Sequence, residues 1–118
     1  MKNDIVFKLK LSLRDPDGSF MGIGLVSLLR AIETEKSIRK AAGTMSLSYP
    51  KALRIIRRLE EVLGTRVVET TRGGATGGGA LVTDAGRRIM VRFEAMNSAL
   101  HEEASRLFSQ IFPDGTLL

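Results

Sequence analysis

The sequence predicts a mainly α-helical fold with a small β component, in a single domain over residues 1–118. Three observations support this prediction: apolar residues recur at helical spacing in several stretches, two short β-branched runs flank a glycine cluster, and one alternating stretch opens the chain. A chain of 118 residues with 43% hydrophobic content can bury one modest core. The absence of cysteine excludes disulfides, thiolate nucleophiles and cysteine-ligated zinc.

The first stretch, Ile5 to Arg14, alternates apolar and polar residues and predicts a half-buried strand. It lacks the continuous apolar segment of a signal peptide, and no apolar run reaches membrane-spanning length, so we expect a cytoplasmic protein. A turn is expected over Asp15 to Ser19, which reads Asp-Pro-Asp-Gly-Ser. A first helix then follows, and its core positions at i, i+3, i+4 and i+7 are Leu25, Leu28, Leu29 and Ile32.

The stretch from Ser37 to Gly64 predicts two short helices joined by a tight turn, which is a helix-turn-helix. Ser37 and Ser48 are good N-caps, and Pro50 suits the first turn of a helix. The second helix repeats apolar residues at spacings of 4, 3 and 4, and Gly64 ends it. Its apolar residues are Ala52, Ile56, Leu59 and Leu63.

The opposite face of this second helix is mostly cationic, and the charge of the chain is concentrated around it. The whole chain has a net charge of +5. Residues 36–72 hold nine basic and three acidic side chains, whereas the rest of the chain holds nine basic and ten acidic side chains and is close to neutral. A basic helix face alone is usually solvated surface, but a preceding short helix and turn match the geometry that lays a recognition helix in the major groove. We therefore expect base contacts from Tyr49, Pro50, Lys51 and Arg54, and phosphate contacts from Ser46, Ser48, Arg57, Arg58 and Arg72.

Two β-rich runs around a glycine loop predict a hairpin over residues 66–83. A hairpin directly after a recognition helix makes a wing, which reaches toward the DNA backbone or minor groove, and Arg72 would contact phosphate there. The alternative of a nucleotide-binding loop is disfavoured, because no Gly-Lys-Ser/Thr follows the glycines and no helix begins directly behind them. A merely flexible hairpin tip stays open as an alternative.

The last predicted helix runs from Thr83 to about Gln110, with Thr83 as N-cap and Asp84 in its first turn. Its length would be roughly 40 Å at 1.5 Å per residue, more than a small domain needs to cover its own core. We expect part of it to pair with a second copy of the chain. The near-heptad seam consists of Ile89, Phe93, Met96, Leu100, Leu107 and Ile111, with Ala104 filling the step between Leu100 and Leu107.

No residue pattern indicates catalysis, a metal or a cofactor. His101 is the only histidine, and we expect it on the polar side of the last helix. The acid pairs Glu60-Glu61 and Glu102-Glu103 point about 100° apart on a helix, so we interpret them as solvated faces rather than as catalytic carboxylates. The sequence thus predicts a protein that is not an enzyme.

Taken together, these motifs resemble the N-terminal DNA-binding domain of the ModE-type molybdate-responsive regulators, which are winged helices related to the LysR type. The resemblance covers nearly the whole chain: the strand IVFKLKLSLR, the segment SIRKAAGTMSLSYPKALRIIRRLE and the wing GGATGGGALVTDAGRRIM. It implies a homodimer joined through the first and last helices, with two recognition helices on a palindromic operator. Because the sequence ends at Leu118, we expect no effector domain and no molybdate binding.

Two other functions remain possible from the sequence alone. A winged helix can serve as a protein-interaction or architectural module whose basic face binds an acidic partner without sequence-specific DNA binding. The face around Lys51 offers few exposed apolar anchors for such a partner. The second possible function is a small oxyanion sensor that uses the glycine wing. Thermal unfolding with and without molybdate would test it.

Overall fold

The computed structural model describes residues 4–71 and 78–118. The order is strand, strand, three helices, strand, strand, long helix. This mostly helical arrangement with two antiparallel strand pairs confirms the predicted fold class. The elements are β1 (Ser12–Asp15), β2 (Gly18–Gly22), α1 (Ile23–Glu35), α2 (Ile38–Thr44), α3 (Tyr49–Leu63), β3 (Val68–Thr71), β4 (Gly79–Val82) and α4 (Asp84–Ile111), followed by a 3-10 turn, Pro113–Gly115.

The start of the chain differs from the single strand predicted over residues 5–14. Only Ser12–Asp15 forms a strand, and it pairs with β2, which the sequence did not indicate. The turn between them is tight: Asp15 pairs with Gly18, the Asp15 carboxylate accepts a hydrogen bond from the Asp17 N–H at 2.9 Å, and Gly18 takes a φ of 125°. Because this turn folds the chain straight back, the residues after it become a second strand rather than a loop.

Residues 4–11 lie along α4 instead of joining a sheet. The ring centroid of Phe7 lies 5.5 Å from that of Phe108, and the ring centroid of Phe108 lies 5.5 Å from that of Phe112. The Leu9 carbonyl oxygen lies 3.1 Å from Nε2 of His101. The predicted alternation is therefore expressed as side chains directed toward or away from a helix, and not as a strand.

The core forms where α1, α2 and α3 meet. The predicted face of α1 is buried, with Leu29 and Ile32 fully inaccessible to solvent. Ala41 and Ala52 are also inaccessible, and such small residues let the helices approach closely. The buried backs of α2 and α3 thus fix how each helix is turned, which decides which side chains face outward.

Three predicted N-caps are present. Ser37 Oγ accepts a hydrogen bond from the Lys40 N–H at 3.1 Å, and Thr83 Oγ1 accepts one from Gly86 at 3.1 Å. Ser48 Oγ accepts from the Lys51 N–H at 3.2 Å. Each such cap contributes about 1 kcal/mol. Gly64, with a φ of 70°, ends α3 as predicted.

The second hairpin, β3 with β4, is the predicted wing, and it is tied to the helices at its base. Val68 pairs with Val82 and Thr71 with Gly79. The Ala80 N–H donates to the Lys36 carbonyl at 2.9 Å. The tip, including Arg72 and its expected phosphate contact, lies outside the described residues.

Glu60 joins the end of α3 to the start of the wing. Its carboxylate accepts hydrogen bonds from the backbone N–H groups of Val67, at 2.8 Å, and Val68, at 3.3 Å. The interpretation of Glu60-Glu61 as a solvated pair is therefore wrong for Glu60, which is half-buried, whereas Glu61 is exposed. The reason is that the chain reverses after Gly64 and brings backbone donors back to the helix.

The long helix α4 runs past the core. Its 28 residues span roughly 42 Å at 1.5 Å per residue, and the molecule measures 64 × 32 × 22 Å. Phe93 is buried in the core, but farther along the same stripe Met96, Leu107 and Ile111 are 53%, 42% and 65% exposed. Within residues 4–71 and 78–118, α4 included, no helix combines the length and apolar character needed to cross a membrane.

Candidate nucleic-acid interface

The exposed face of α3 carries a row of cations. Ala52, Ile56 and Leu59 are buried on one side of the helix, so Lys51, Arg54 and Arg57 face solvent on the other. None of these three cations forms an ion pair with any residue the structure describes. An unpaired row of cations on a rigid helix is suited to a polyanion.

The turn before α3 presents hydroxyl groups beside this row. Ser46 is exposed and takes a φ of 56°, and the Leu47 N–H donates to the Ala42 carbonyl at 2.9 Å, which closes the turn. The cap bond uses Ser48 Oγ as an acceptor, so its O–H can still donate to a phosphate oxygen. Pro50, also expected at the interface, is exposed in the first turn of α3.

Arg39 of α2 is a member of this surface that the sequence did not single out. Its guanidinium carbon lies 4.4 Å from the centroid of the Tyr49 ring, in a cation–π contact. The contact fixes the ring at the start of α3 and leaves the guanidinium edge available to donate hydrogen bonds. The sequence shows only that Arg39 is a basic residue in the first turn of the first helix of the helix-turn-helix. That position does not predict a contact with Tyr49 across the turn.

Arg58 lies apart from the other predicted DNA-binding residues. Its guanidinium binds the Asp15 carboxylate and donates to the Gly18 carbonyl at 3.1 Å. Hydrogen bonding to Arg58 lowers the pKa of Asp15, and the same bond raises the pKa of Arg58. The guanidinium thus holds the β1–β2 turn against α3, and any phosphate contact by Arg58 remains a prediction that must compete with this pair.

The described base of the wing lies next to the start of α3. Thr70, Thr71, Gly78 and Gly79 share a groove of about 330 Å³ with Arg39 and Tyr49. The wing and the start of α3 therefore border one surface. Its cationic residues in the described ranges come from α2 and α3.

Residues that could ligate a metal do not cluster in the described ranges: no three His, Asp or Glu side chains lie close enough to hold an ion. His101 differs from the expected surface histidine, since Nδ1 lies 2.8 Å from the Asn97 carbonyl oxygen and Nε2 3.1 Å from that of Leu9. Its role in the structure is to connect residues 4–11 to α4.

Comparison with known proteins agrees with this geometry. The sequence model of the bacterial regulatory helix-turn-helix proteins of the lysR family matches residues 23–87. The match begins at the first residue of α1 and ends in the first turn of α4. It thus takes in the helix-turn-helix and the wing, and leaves out the β1–β2 hairpin.

Three curated relatives are similar over most of the chain. The molybdenum transport protein ModE of Azotobacter vinelandii is 32% identical over 89% of this chain and 39% of its own length. The molybdenum-pterin-binding protein MopB of Rhodobacter capsulatus is 35% identical, over 70% of this chain and 31% of its own. The DNA-binding transcriptional dual regulator ModE of Escherichia coli K12 is 29% identical, over 81% of this chain and 35% of its own length. The chain thus spans between 31% and 39% of the length of these relatives.

Two solved structures share the fold. The DNA complex of the CbnR DNA-binding domain has a TM-score of 0.58 and 20% identity, and it covers 77% of this chain and 99% of that one. Full-length CbnR with its target DNA has a TM-score of 0.56 and 19% identity, and the match covers 75% of this chain and 29% of that one.

Proposed function

Since the chain belongs to the LysR family of bacterial regulatory helix-turn-helix proteins, we propose that it binds duplex DNA through α3, placed in the major groove of an operator. The family is one of regulators and not of enzymes. The observation that carries the proposal is the row Lys51, Arg54 and Arg57, which is unpaired in the described residues, on a helix whose opposite face is locked in the core.

The position of each side chain along α3 suggests its role. Residues at the N-terminal end of a recognition helix reach base edges, and those farther along or on the preceding turn reach phosphates. We assign base contacts to Tyr49, Pro50, Lys51 and Arg54, and phosphate contacts to Ser46, Ser48, Arg57, Arg58 and Arg72. Arg39 joins the second group, because its guanidinium lies on the Tyr49 ring at the same end of the helix.

We further propose that the protein acts as a homodimer joined through α1 and α4. Met96, Leu107 and Ile111 form an exposed apolar stripe beyond the core, and a second copy could cover it. A twofold axis relating two α3 helices would require a palindromic operator with half-sites about 34–36 Å apart.

Three relatives carry names that refer to molybdenum or ModE, but this chain matches less than two fifths of their lengths. We propose that residues 1–118 do not themselves bind molybdate. Thermal unfolding with and without molybdate or tungstate checks this point, because a ligand of the folded state raises the unfolding midpoint. We expect no shift, and a rise that saturates with molybdate would contradict the proposal.

The experiment that tests the proposed function is selection of bound sequences from a random duplex pool at two salt concentrations. Electrostatic contacts weaken steeply with salt, whereas base readout persists as a sequence preference. A palindromic motif with half-sites one helical turn apart would support a dimeric sequence-specific regulator. Enrichment of no motif, with binding lost as salt rises, would favour an architectural or protein-interaction module.

A further inference from the structure

A second cationic surface lies between the β1–β2 hairpin and α3. The groove there has a volume of about 640 Å³ and is also lined by the end of β2 and the start of α1. We call it the hairpin groove. Its polar and charged lining residues are Lys10, Ser12, Arg14, Ser19, Arg54 and Arg58.

The hairpin groove carries an uncompensated positive charge. Arg58 is neutralised by Asp15, but Lys10, Arg14 and Arg54 form no ion pair with any described residue. No acidic residue lines the groove. The carboxylates of Asp17 and Glu61 are the remaining acids that act on Arg58, from outside the lining. Three free cations in one groove call for an anionic occupant.

The hairpin groove continues from the proposed recognition surface. Arg54 belongs to both, since it faces solvent on α3 and lines the groove. Arg58 follows one turn later, roughly 6 Å farther along the helix axis at 1.5 Å per residue. A duplex held at the N-terminal end of α3 would therefore bring its flanking backbone toward the hairpin.

The hairpin is also a fixed part of the surface and lies outside the matched family region. The lysR family match begins at Ile23, after β2. The Asp15 carboxylate and the Gly18 carbonyl both bind Arg58, which pins the turn to the recognition helix. Cations carried by the hairpin thus keep a constant position relative to α3.

We propose that the hairpin groove binds the phosphodiester backbone of the operator beside the segment read by α3, with Lys10 and Arg14 as the contacting side chains. The proposal rests on the proposed DNA binding and extends its footprint. A long polyanion suits the groove better than a small free anion does. Lys10, Arg14 and Arg54 are all exposed, and no buried polar side chain in the described chain forms an enclosed anion site. A duplex already held by α3 supplies phosphates at high effective concentration.

The test compares two double variants on the duplex recovered by selection. Lys10→Gln/Arg14→Gln removes two charges from the groove, and Lys8→Gln/Arg92→Gln removes two exposed charges that do not line it. The first variant should lower the slope of log affinity against log salt by roughly 2 per protomer, at about 0.9 per lost phosphate contact. In an ethylation-interference experiment, ethylation of the phosphates that flank the half-site should block binding of the wild type but no longer block binding of this variant. The selected motif should be unchanged.

The outcomes separate this proposal from the function on which it rests. Equal salt slopes and equal flanking protection for the two variants would overturn the groove while leaving recognition by α3 intact. Wild-type protein that binds no duplex at low salt would overturn both. If inorganic phosphate raised the unfolding midpoint of the wild type but not of Lys10→Gln/Arg14→Gln, and salt slopes were equal, the groove would be a free-anion site and the proposal would be wrong. Arg14→Lys should keep most of the wild-type slope, because the contact depends on charge, and a slope as low as that of Lys10→Gln/Arg14→Gln would contradict the proposal.

Discussion

Arg58 in α3 binds the carboxylate of Asp15, which precedes it by 43 residues, and so fastens the first hairpin of the chain to α3. The pair is partly shielded, with 26% of the Arg58 side chain and 30% of the Asp15 side chain exposed. The same guanidinium also holds the Gly18 carbonyl. Loss of the pair would therefore loosen the hairpin as well as remove one ionic contact.

We expect Asp15→Asn to lower the unfolding midpoint in a pH-dependent way. Bonding to Arg58 depresses the pKa of Asp15 in the folded state below its unfolded value of about 3.9. The stabilisation is present above that unfolded value and is lost as the pH falls through the folded pKa. The midpoints of wild type and variant should differ most near neutral pH and converge in strong acid. Asp4→Asn, at an exposed carboxylate, is the control. A difference that is constant with pH would contradict the prediction.

We expect substitutions along α3 to divide into two classes. Lys51→Ala and Arg54→Ala should each cost about 1–3 kcal/mol of operator binding and relax one position of the selected motif, because we propose that these two side chains contact base edges. Arg57→Ala should weaken all sequences alike and reduce the salt slope by about 1. Binding measured on the selected operator and on single-position variants of it distinguishes the classes. Unchanged binding by Lys51→Ala and Arg54→Ala would exclude this recognition surface.

We expect Arg39 and Tyr49 to act together. A cation–π pair at an exposed site contributes about 0.5–1 kcal/mol, and here it orients a ring at the proposed interface. A double-mutant cycle of Arg39→Gln and Tyr49→Ala should give a coupling energy in that range for DNA binding. Lys40→Gln, at the neighbouring exposed residue of α2, is the matched control and should show no coupling to Tyr49. Additive effects of Arg39→Gln and Tyr49→Ala would show that the contact is incidental.

We expect Gly86→Ala to destabilise the fold. A Cβ at this position would lie 2.6 Å from the Val67 carbonyl oxygen and 2.8 Å from Cγ1 of Val82. The Val67 carbonyl cannot move freely, because it accepts the Thr83 N–H at 2.9 Å. Overpacking of this kind costs typically about 1–3 kcal/mol, which denaturant unfolding would measure. Gly43→Ala, in a helix with open space around it, should instead stabilise by about 0.5–1 kcal/mol.

We expect Met96→Asp and Ile111→Asp to yield monomers that keep their fold. Both side chains are exposed in the single chain, at 53% and 65%, so a charge there affects association rather than the core. Val91→Asp, which is 60% exposed on a different face of α4, is the control. Sedimentation equilibrium should show a dimer for wild type and Val91→Asp. A wild-type monomer at high concentration would refute the dimer, and loss of the dimer only in Val91→Asp would move it to another face.

Local signals predicted the helices and their ends. Ser37, Ser48, Thr83 and Gly64 act within three or four residues of themselves, so the sequence pattern is enough to place them. The apolar spacing likewise predicted the buried face of α1, because a helix buries one stripe wherever it packs. The cationic row on α3 follows from the same periodicity.

Contacts between distant segments could not be predicted. The Asp15–Arg58 pair joins residues 43 apart, and the contact of His101 with the Leu9 carbonyl joins residues 92 apart. Neither leaves a periodic pattern, since one side chain meets one group across the fold. The strand β2 was missed for a related reason. It begins inside the predicted turn at Asp15 to Ser19, and only its pairing with β1 makes it a strand. Arg39 has no local signal for its stacking on Tyr49.

The docking of residues 4–11 against α4 sets the order in which the native structure can be completed. Phe7 packs on Phe108, and the Leu9 carbonyl oxygen contacts His101, so each of these two residues is synthesised well before its partner. At the usual 5–20 residues per second, these first residues wait on the order of 5–20 s before those partners are made. The helix-turn-helix can assemble during that interval from contacts between neighbours, whereas Phe7 stays solvated. Residues 4–11 are thus synthesised before the helix on which they pack, and they reach their place only after that helix has formed.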